Sequence, residues 1–206
     1  MKISKTITLA TLALTIGLSA SSFAQDGSME MKKDKKMMKK EKMMMQTKMV
    51  GGSEMYPTKN IIENAVNSKD HTTLVAAVKA ARLVETLQGE GPFTVFAPTN
   101  TAFDKLPKGT VETLLKPENK EKLQGVLTYH VVAGKVSSMD LAQMIKDGKG
   151  KAELTTVNGG ILTAMLKGKK VQLKDTAGNI STVTIADVNQ SNGVIHVVDT
   201  VVLPGM

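Results

Sequence analysis

Three histidines, His71, His130 and His196, are the side chains best suited to acid–base or metal chemistry, and their placement argues against both. They lie far apart in the chain. None belongs to an H-E-x-x-H pattern, which would set two imidazoles on one helix face for a zinc ion. There is no G-x-S-x-G turn to present a nucleophilic serine. Gly148-Lys149-Gly150-Lys151 has the composition of a phosphate loop but not its spacing, and reads as a solvated turn. With no cysteine among 206 residues, disulfides, thiolate metal sites, cysteine nucleophiles and a lipid-modified N-terminal cysteine are excluded. No pair of carboxylates is singled out for acid–base work. The sequence therefore predicts no enzyme and no cofactor. Asn179-Ile180-Ser181 and Asn189-Gln190-Ser191 are glycosylation sequons that matter only in a eukaryotic host.

Thioethers are the remaining soft ligands. The chain has 14 methionines, and nine of them lie between Met29 and Met55, among eight lysines. On a helix turning about 100° per residue, Met31, Met38, Met45 and Met49 form one stripe, flanked by Met37 and Met44. Lys32, Lys33, Lys36, Lys39 and Lys40 turn away from it, Lys35 and Lys42 lie beside it, and Met43 is out of place. Three readings stay open for this low-complexity segment: a flexible spacer, a lysine face for an anionic surface, or a Cu(I) site built from Met37, Met38, Met43, Met44 and Met45.

Residues 1–24 read as a secretory signal. Lys2 and Lys5 precede the apolar run Ile7 to Leu18, and Ser22-Phe23-Ala24 has the small-x-small form of a cleavage site. The run is short for a hydrocarbon core of about 30 Å. The expected organisation is a signal at 1–24, a Met/Lys-rich segment at 25–55 hinged at Gly51-Gly52-Ser53, and a folded domain at 56–206. The expected location is secreted or periplasmic, without a transmembrane anchor and as a monomer. The formal net charge of +8 resides mostly in the first two segments, leaving about +3 for 56–206. No basic stripe interleaved with aromatics is present, so nucleic acid is not an expected partner.

The elements expected in 56–206 begin with two helices. Thr58 is the candidate cap of the first, and Asp70 of a second that runs through Leu87 to Gly89. Phe93 to Ala97 is a short apolar strand, and Thr99 caps a short helix after Pro98. Helices follow at Thr110 to Leu115, from Pro117 through Leu127, and at Ser138 to Lys146. A strand is expected at Tyr129 to Val132. Four β-rich runs, Ala152–Val157, Ile161–Leu166, Val171–Lys174 and Thr182–Val188, are separated by Gly- and Asn-containing turns. A last strand, Val194 to Leu203, is apolar on both alternations. Helices first and a β meander afterwards predict an α+β fold.

Three stretches coincide in order and spacing with a known family. Phe93-Thr94-Val95-Phe96-Ala97-Pro98-Thr99-Asn100-Thr101-Ala102-Phe103, Tyr129-His130-Val131-Val132, and Asn192-Gly193-Val194-Ile195-His196-Val197-Val198-Asp199 through Leu203-Pro204 resemble the two conserved boxes and the tyrosine-histidine motif of the fasciclin (FAS1) domain. The resemblance spans about 58–204. It implies a wedge-shaped β-sandwich with packed helices, and a non-enzymatic adhesion module whose partner is a cell-surface protein or polysaccharide. Thr94, Phe96, Ala97, Pro98, Thr99, Asn100, Phe103, Asn192, Gly193, His196, Asp199, Leu203 and Pro204 are expected to be mainly structural. The resemblance assigns Tyr129 and His130 to receptor binding. On a strand the two would face opposite sides, so the alternative is Tyr129 in the core with His130 bonded to a neighbouring loop.

Overall fold

In the computed structural model the described residues are 37–38 and 46–205. The expected signal, and Met43, Met44 and Met45, lie outside them; Met37 and Met38 are exposed. The chain divides into two units, Met1–Lys39 and Lys40–Met206, and the second carries the fold.

That unit opens with a hairpin, β1 (Lys48–Val50) and β2 (Ser53–Met55). Gly51 and Gly52, expected as a hinge, form its turn, with φ of 58° and 75°. Only such left-handed backbone joins two strands this tightly at low strain. Val50 and Met55 are buried in the domain core. The helix α1 (Ile61–Ala65) is capped by Asn60, not by Thr58. The Asn60 side chain accepts from Glu63 N at 2.9 Å, and Glu63 Oε2 accepts from Asn60 N at 2.8 Å. This reciprocal pair satisfies two otherwise orphaned N–H groups.

The long helix expected from Asp70 is instead two. After a 3₁₀ turn at Lys69–His71 come α2 (Thr72–Ala80) and α3 (Val84–Gln88). Between them Arg82 takes φ 56°. Leu83 N bonds Val78 O at 3.0 Å and Arg82 N bonds Lys79 O at 3.0 Å. This is a Schellman ending with arginine where glycine usually sits. The apolar periodicity runs straight through it, so the sequence carries no sign of the break.

The next elements are β3 (Phe93–Pro98), α4 (Asn100–Asp104), α5 (Thr110–Leu114), α6 (Lys120–Tyr129), β4 (Val131–Ala133) and α7 (Ser138–Asp147). The strands β5 (Lys151–Thr155), β6 (Ile161–Lys167), β7 (Lys170–Lys174), β8 (Ile180–Gln190) and β9 (Gly193–Val198) complete the fold. Tyr129 is thus the last helical residue of α6, and His130 is its C-cap. The expected strand at 129–132 begins only at Val131, and the opposite-face argument for this pair falls with it. The last strand ends at Val198, because Asp199 and Thr200 bend the chain away.

The seven strands run in the order β4-β3-β9-β8-β7-β6-β5. β3 and β9 pair in parallel, and the other pairs are antiparallel. A bridge between Val132 and Thr156, with Val157 N donating to Val131 O at 2.7 Å, brings the two ends of the sheet together. β8 is bent by irregularities between Val183 and Val188, where Asp187 has φ 55°, so its two halves serve the two layers. The result is an α+β β-sandwich. Its interior holds Phe96, Tyr129, Leu141, Leu162, Leu173 and Val198. A second core lies between the outer face of β3 and β9 (Val95, Ala97, Ile195, Val197) and the helices α1 to α6. β3 and β9 are covered on both faces, which is why their sequences are apolar apart from Thr94 and His196.

Candidate interaction surface

The motif residues assemble the interior. Phe96 and Tyr129 are fully buried. Tyr129 OH donates to Ile161 O at 2.7 Å, joining α6 to the start of β6. His130 Nδ1 donates to Val126 O at 2.8 Å, and its Nε2 accepts from Val202 N at 3.2 Å. A carbonyl can only accept and an N–H can only donate, so the ring is neutral and carries its proton on Nδ1. Burial holds its pKa down to about 4. His196 carries its proton on the other nitrogen. Nε2 donates to Val136 O at 2.9 Å, Nδ1 accepts from Asp187 N at 3.2 Å, and the ring stacks on Phe96 with centroids 5.6 Å apart. Its pKa too is lowered by burial.

The polar members of the two boxes are joints. Thr94 Oγ1 donates to Gly134 O at 2.6 Å and accepts from Val136 N at 2.8 Å, strapping down the loop after β4. Thr99 caps α4 by accepting from Ala102 N. Asn100 Oδ1 accepts from Thr73 N at 3.0 Å while Nδ2 donates to Lys69 O at 2.9 Å, tying α4 to the start of α2. Asn192 Oδ1 accepts from Ile61 N at 3.0 Å, and Nδ2 donates to Leu87 O at 2.8 Å and Gly89 O at 3.0 Å. One side chain in the β8–β9 turn thereby fixes both α1 and α3. Gly193 must lack a side chain, because a Cβ there would stand 2.1 Å from Phe93 O. Asp199 Oδ1 accepts from Thr182 N at 2.8 Å, and Leu203 N donates to Asp175 Oδ2 at 3.0 Å. Ala97 and Phe103 are buried, and Pro98 ends β3; Pro204 is half-buried.

One cluster has the residue types of a hydrolytic triad but the wrong connections. Ser138 Oγ donates to Asp187 rather than to an imidazole, and Ser138 N donates to Asp187 Oδ1 at 2.7 Å. Both nitrogens of His196 are engaged with backbone. No imidazole reaches the serine, and the Ser138–Asp187 contacts fasten α7 to β8. Among the described residues no group of three or more His, Cys, Asp or Glu could hold a metal ion. The apolar cavity between the helices and β3 measures about 40 Å³, far below the few hundred Å³ an organic ligand needs. His71 lines it, held at Nδ1 by Ser68 Oγ at 2.9 Å and with Nε2 unbonded.

What remains for contact is the exterior, and its most distinctive part is the outer face of β5, β6 and β7. Alternation puts Ala152, Leu154, Leu162, Ala164, Val171 and Leu173 inside, and turns Lys151, Lys167, Lys170 and Lys174 outward, all exposed. Lys167 and Lys170 are direct cross-strand partners, and Lys151 pairs with Met165, the neighbour of Lys167 on the same face. Exposed Lys149 and Lys169 sit in the connections at that end.

Residues 69–204 match the family model of the fasciclin domain. This chain belongs to the fasciclin domain family. It is 53% identical over 146 residues to protein sll1483 of Synechocystis, covering 71% of this chain and 74% of that one. It is 34% identical over 145 residues to the cell surface glycolipoprotein MPB83 of Mycobacterium bovis, covering 68% of this chain and 58% of the relative. The solved FAS1 domain pair of the insect cell adhesion molecule fasciclin I superposes with a TM-score of 0.65 at 17% identity, covering 72% of this chain and 52% of that chain. The fasciclin fold is thereby established, and the family includes cell-surface and adhesion proteins. Among the described residues no helix is long and apolar enough to cross a membrane.

The sequence does not announce the lysine face, because its residues are scattered over three strands and two turns. The signal was the strand parity: where the inward positions are apolar, the lysines occupy the alternate ones.

Proposed function

We propose that this is an exported, non-enzymatic interaction protein whose fasciclin domain recognises a cell-surface or extracellular component through its exterior. The observation that supports this reading is that the family's polar motif residues are bonded to the domain's own backbone. They hold the helices on the sandwich and leave the surface as the working part. In this reading Tyr129 and His130 support binding only by keeping the domain folded. Purified protein should be retained on native envelopes or extracellular polysaccharide; loss of all retention, with and without residues 25–45, which precede the core hairpin, refutes the reading.

A second reading is copper handling by the Met-rich segment, supported by the clustering of methionines where no cysteine competes. Anaerobic Cu(I) titration tests it: binding tighter than micromolar that disappears when Met37, Met38, Met43, Met44 and Met45 become Leu supports it. Weaker binding, or binding unchanged by those substitutions, removes it.

A further inference from the structure

Charge is unevenly distributed over the fasciclin domain. Residues 141–174 contain seven lysines and two acids, Asp147 and Glu153, a net of +5; the rest of 56–206 carries about −2. The fold gathers this charge at one end of the β5–β6–β7 face. Neighbouring strands lie about 4.8 Å apart, so Lys151, Lys167 and Lys170 span two strand spacings, about 10 Å. Lys149 and Lys169 extend the cluster along the same end. Directly opposed like charges destabilise a sheet, and Lys167 and Lys170 are such a pair. None of these five lysines makes an ion pair among the described residues. Asp147 is occupied by Gln143, whose Nε2 donates to Oδ1 at 2.8 Å. Glu153 lies farther along β5, opposite Thr163.

Between and beyond the lysines the face presents Thr163, Gln172 and Thr182, with Gln172 Nε2 donating to Thr182 Oγ1 at 3.2 Å. Such groups hydrogen-bond hydroxyls. The apolar residues at this face are aliphatic: Met165 lies between Lys151 and Gln172, and Ile161 and Leu166 are exposed. A membrane-binding surface sets aromatic wedges beside its lysines; no Phe, Tyr or Trp occurs in 141–174.

We infer that the β5–β6–β7 face, centred on Lys151, Lys167 and Lys170, is a docking surface for a linear acidic polysaccharide. The lysines pair with repeated carboxylates or sulfates along the polymer, and Thr163, Gln172 and Thr182 meet its hydroxyls. This inference rests on the reading of the domain as a surface-recognition module and names the partner's chemistry.

The test measures binding of the full chain to polygalacturonate, with neutral dextran and phosphatidylglycerol-containing vesicles as parallel probes. The tail lysines 32–42 are changed to Gln throughout so that their charge does not mask the domain. Lys151→Gln, Lys167→Gln and Lys170→Gln together should weaken polygalacturonate binding at least tenfold. The charge-matched set Lys108→Gln, Lys116→Gln and Lys122→Gln, exposed and elsewhere on the domain, should change it less than twofold. Binding should fall with added salt, as exposed charge pairs do, and dextran should not bind. Equal losses in the two triple variants would show a non-specific net-charge effect and overturn the inference. So would binding to vesicles without binding to polygalacturonate, or no polygalacturonate binding at all. If polygalacturonate fails while the protein is still retained on native envelopes, only the polysaccharide inference falls; if both fail, the proposed function falls with it.

Discussion

Lowering the pH from 7 to 5 should destabilise the domain, chiefly through its buried histidines. His130 is neutral in the fold because its Nε2 must accept from Val202 N, and burial holds its pKa down to about 4. In the unfolded chain the same group titrates near 6.5. Between these values the unfolded state takes up a proton that the folded state refuses. The stabilisation is therefore complete above about pH 6.5 and is lost as pH falls toward 4. Linkage gives a loss from His130 alone of about 2 kcal/mol at pH 5 and about 3 kcal/mol at pH 4. His71 and His196, also lowered by burial, add in the same direction. Against a total of about 5–15 kcal/mol this is a large fraction, and 2 kcal/mol moves a urea midpoint by about 1 M. The assay is urea unfolding followed by circular dichroism at pH 7, 6 and 5. His130→Gln should be less stable than the parent at pH 7, yet lose about 2 kcal/mol less between pH 7 and 5. A midpoint that does not move from pH 7 to pH 5, or a drop undiminished in His130→Gln, would refute the reasoning.

Other perturbations address the joints. Arg82→Gly should stabilise by up to about 1 kcal/mol, because glycine takes the φ of 56° without the penalty a side chain incurs, less its own chain entropy; the urea midpoint reads the sign. Gly193→Ala should cost about 3 kcal/mol or more, since the new Cβ would sit 2.1 Å from Phe93 O and force the parallel β3–β9 pair apart. Its midpoint, or failure to yield soluble protein, checks this. Asn192→Ala removes three hydrogen bonds and should cost about 2–4 kcal/mol; hydrogen exchange should rise most in α1 and α3.

The fold was legible where pattern and punctuation agreed. Phe93 to Ala97 is apolar but for Thr94 and ends at Pro98, and it is a central strand. The four β-rich runs after Lys151 are strands in the expected order, because their inward positions alternate and Gly or Asn marks each turn. The misses share a cause: local chemistry overridden by tertiary bonding. Nothing in the side-chain pattern at Ala81-Arg82-Leu83 announces a helix ending, since the left-handed residue is an arginine. Tyr129-His130 sits beside two valines and reads as strand, yet Tyr129 completes α6 because its hydroxyl reaches Ile161 O across the sandwich. Lys48–Met55 lies in methionine-rich sequence that reads as tail, yet Val50 and Met55 are core residues. As for the candidate surface, the motif residues were visible at once. The lysine face was not, because the register that gathers Lys151, Lys167 and Lys170 is a long-range property of the sheet.

The central claim is that the signature residues build the domain and that recognition happens elsewhere on it. Tyr129→Phe tests this most directly, because it deletes one buried hydroxyl and little else. The urea midpoint and the retention of the protein on native envelopes are measured together. The expected result is a stability loss of about 1–2 kcal/mol with retention unchanged at a pH where the variant stays folded. Unchanged stability with retention abolished would contradict it.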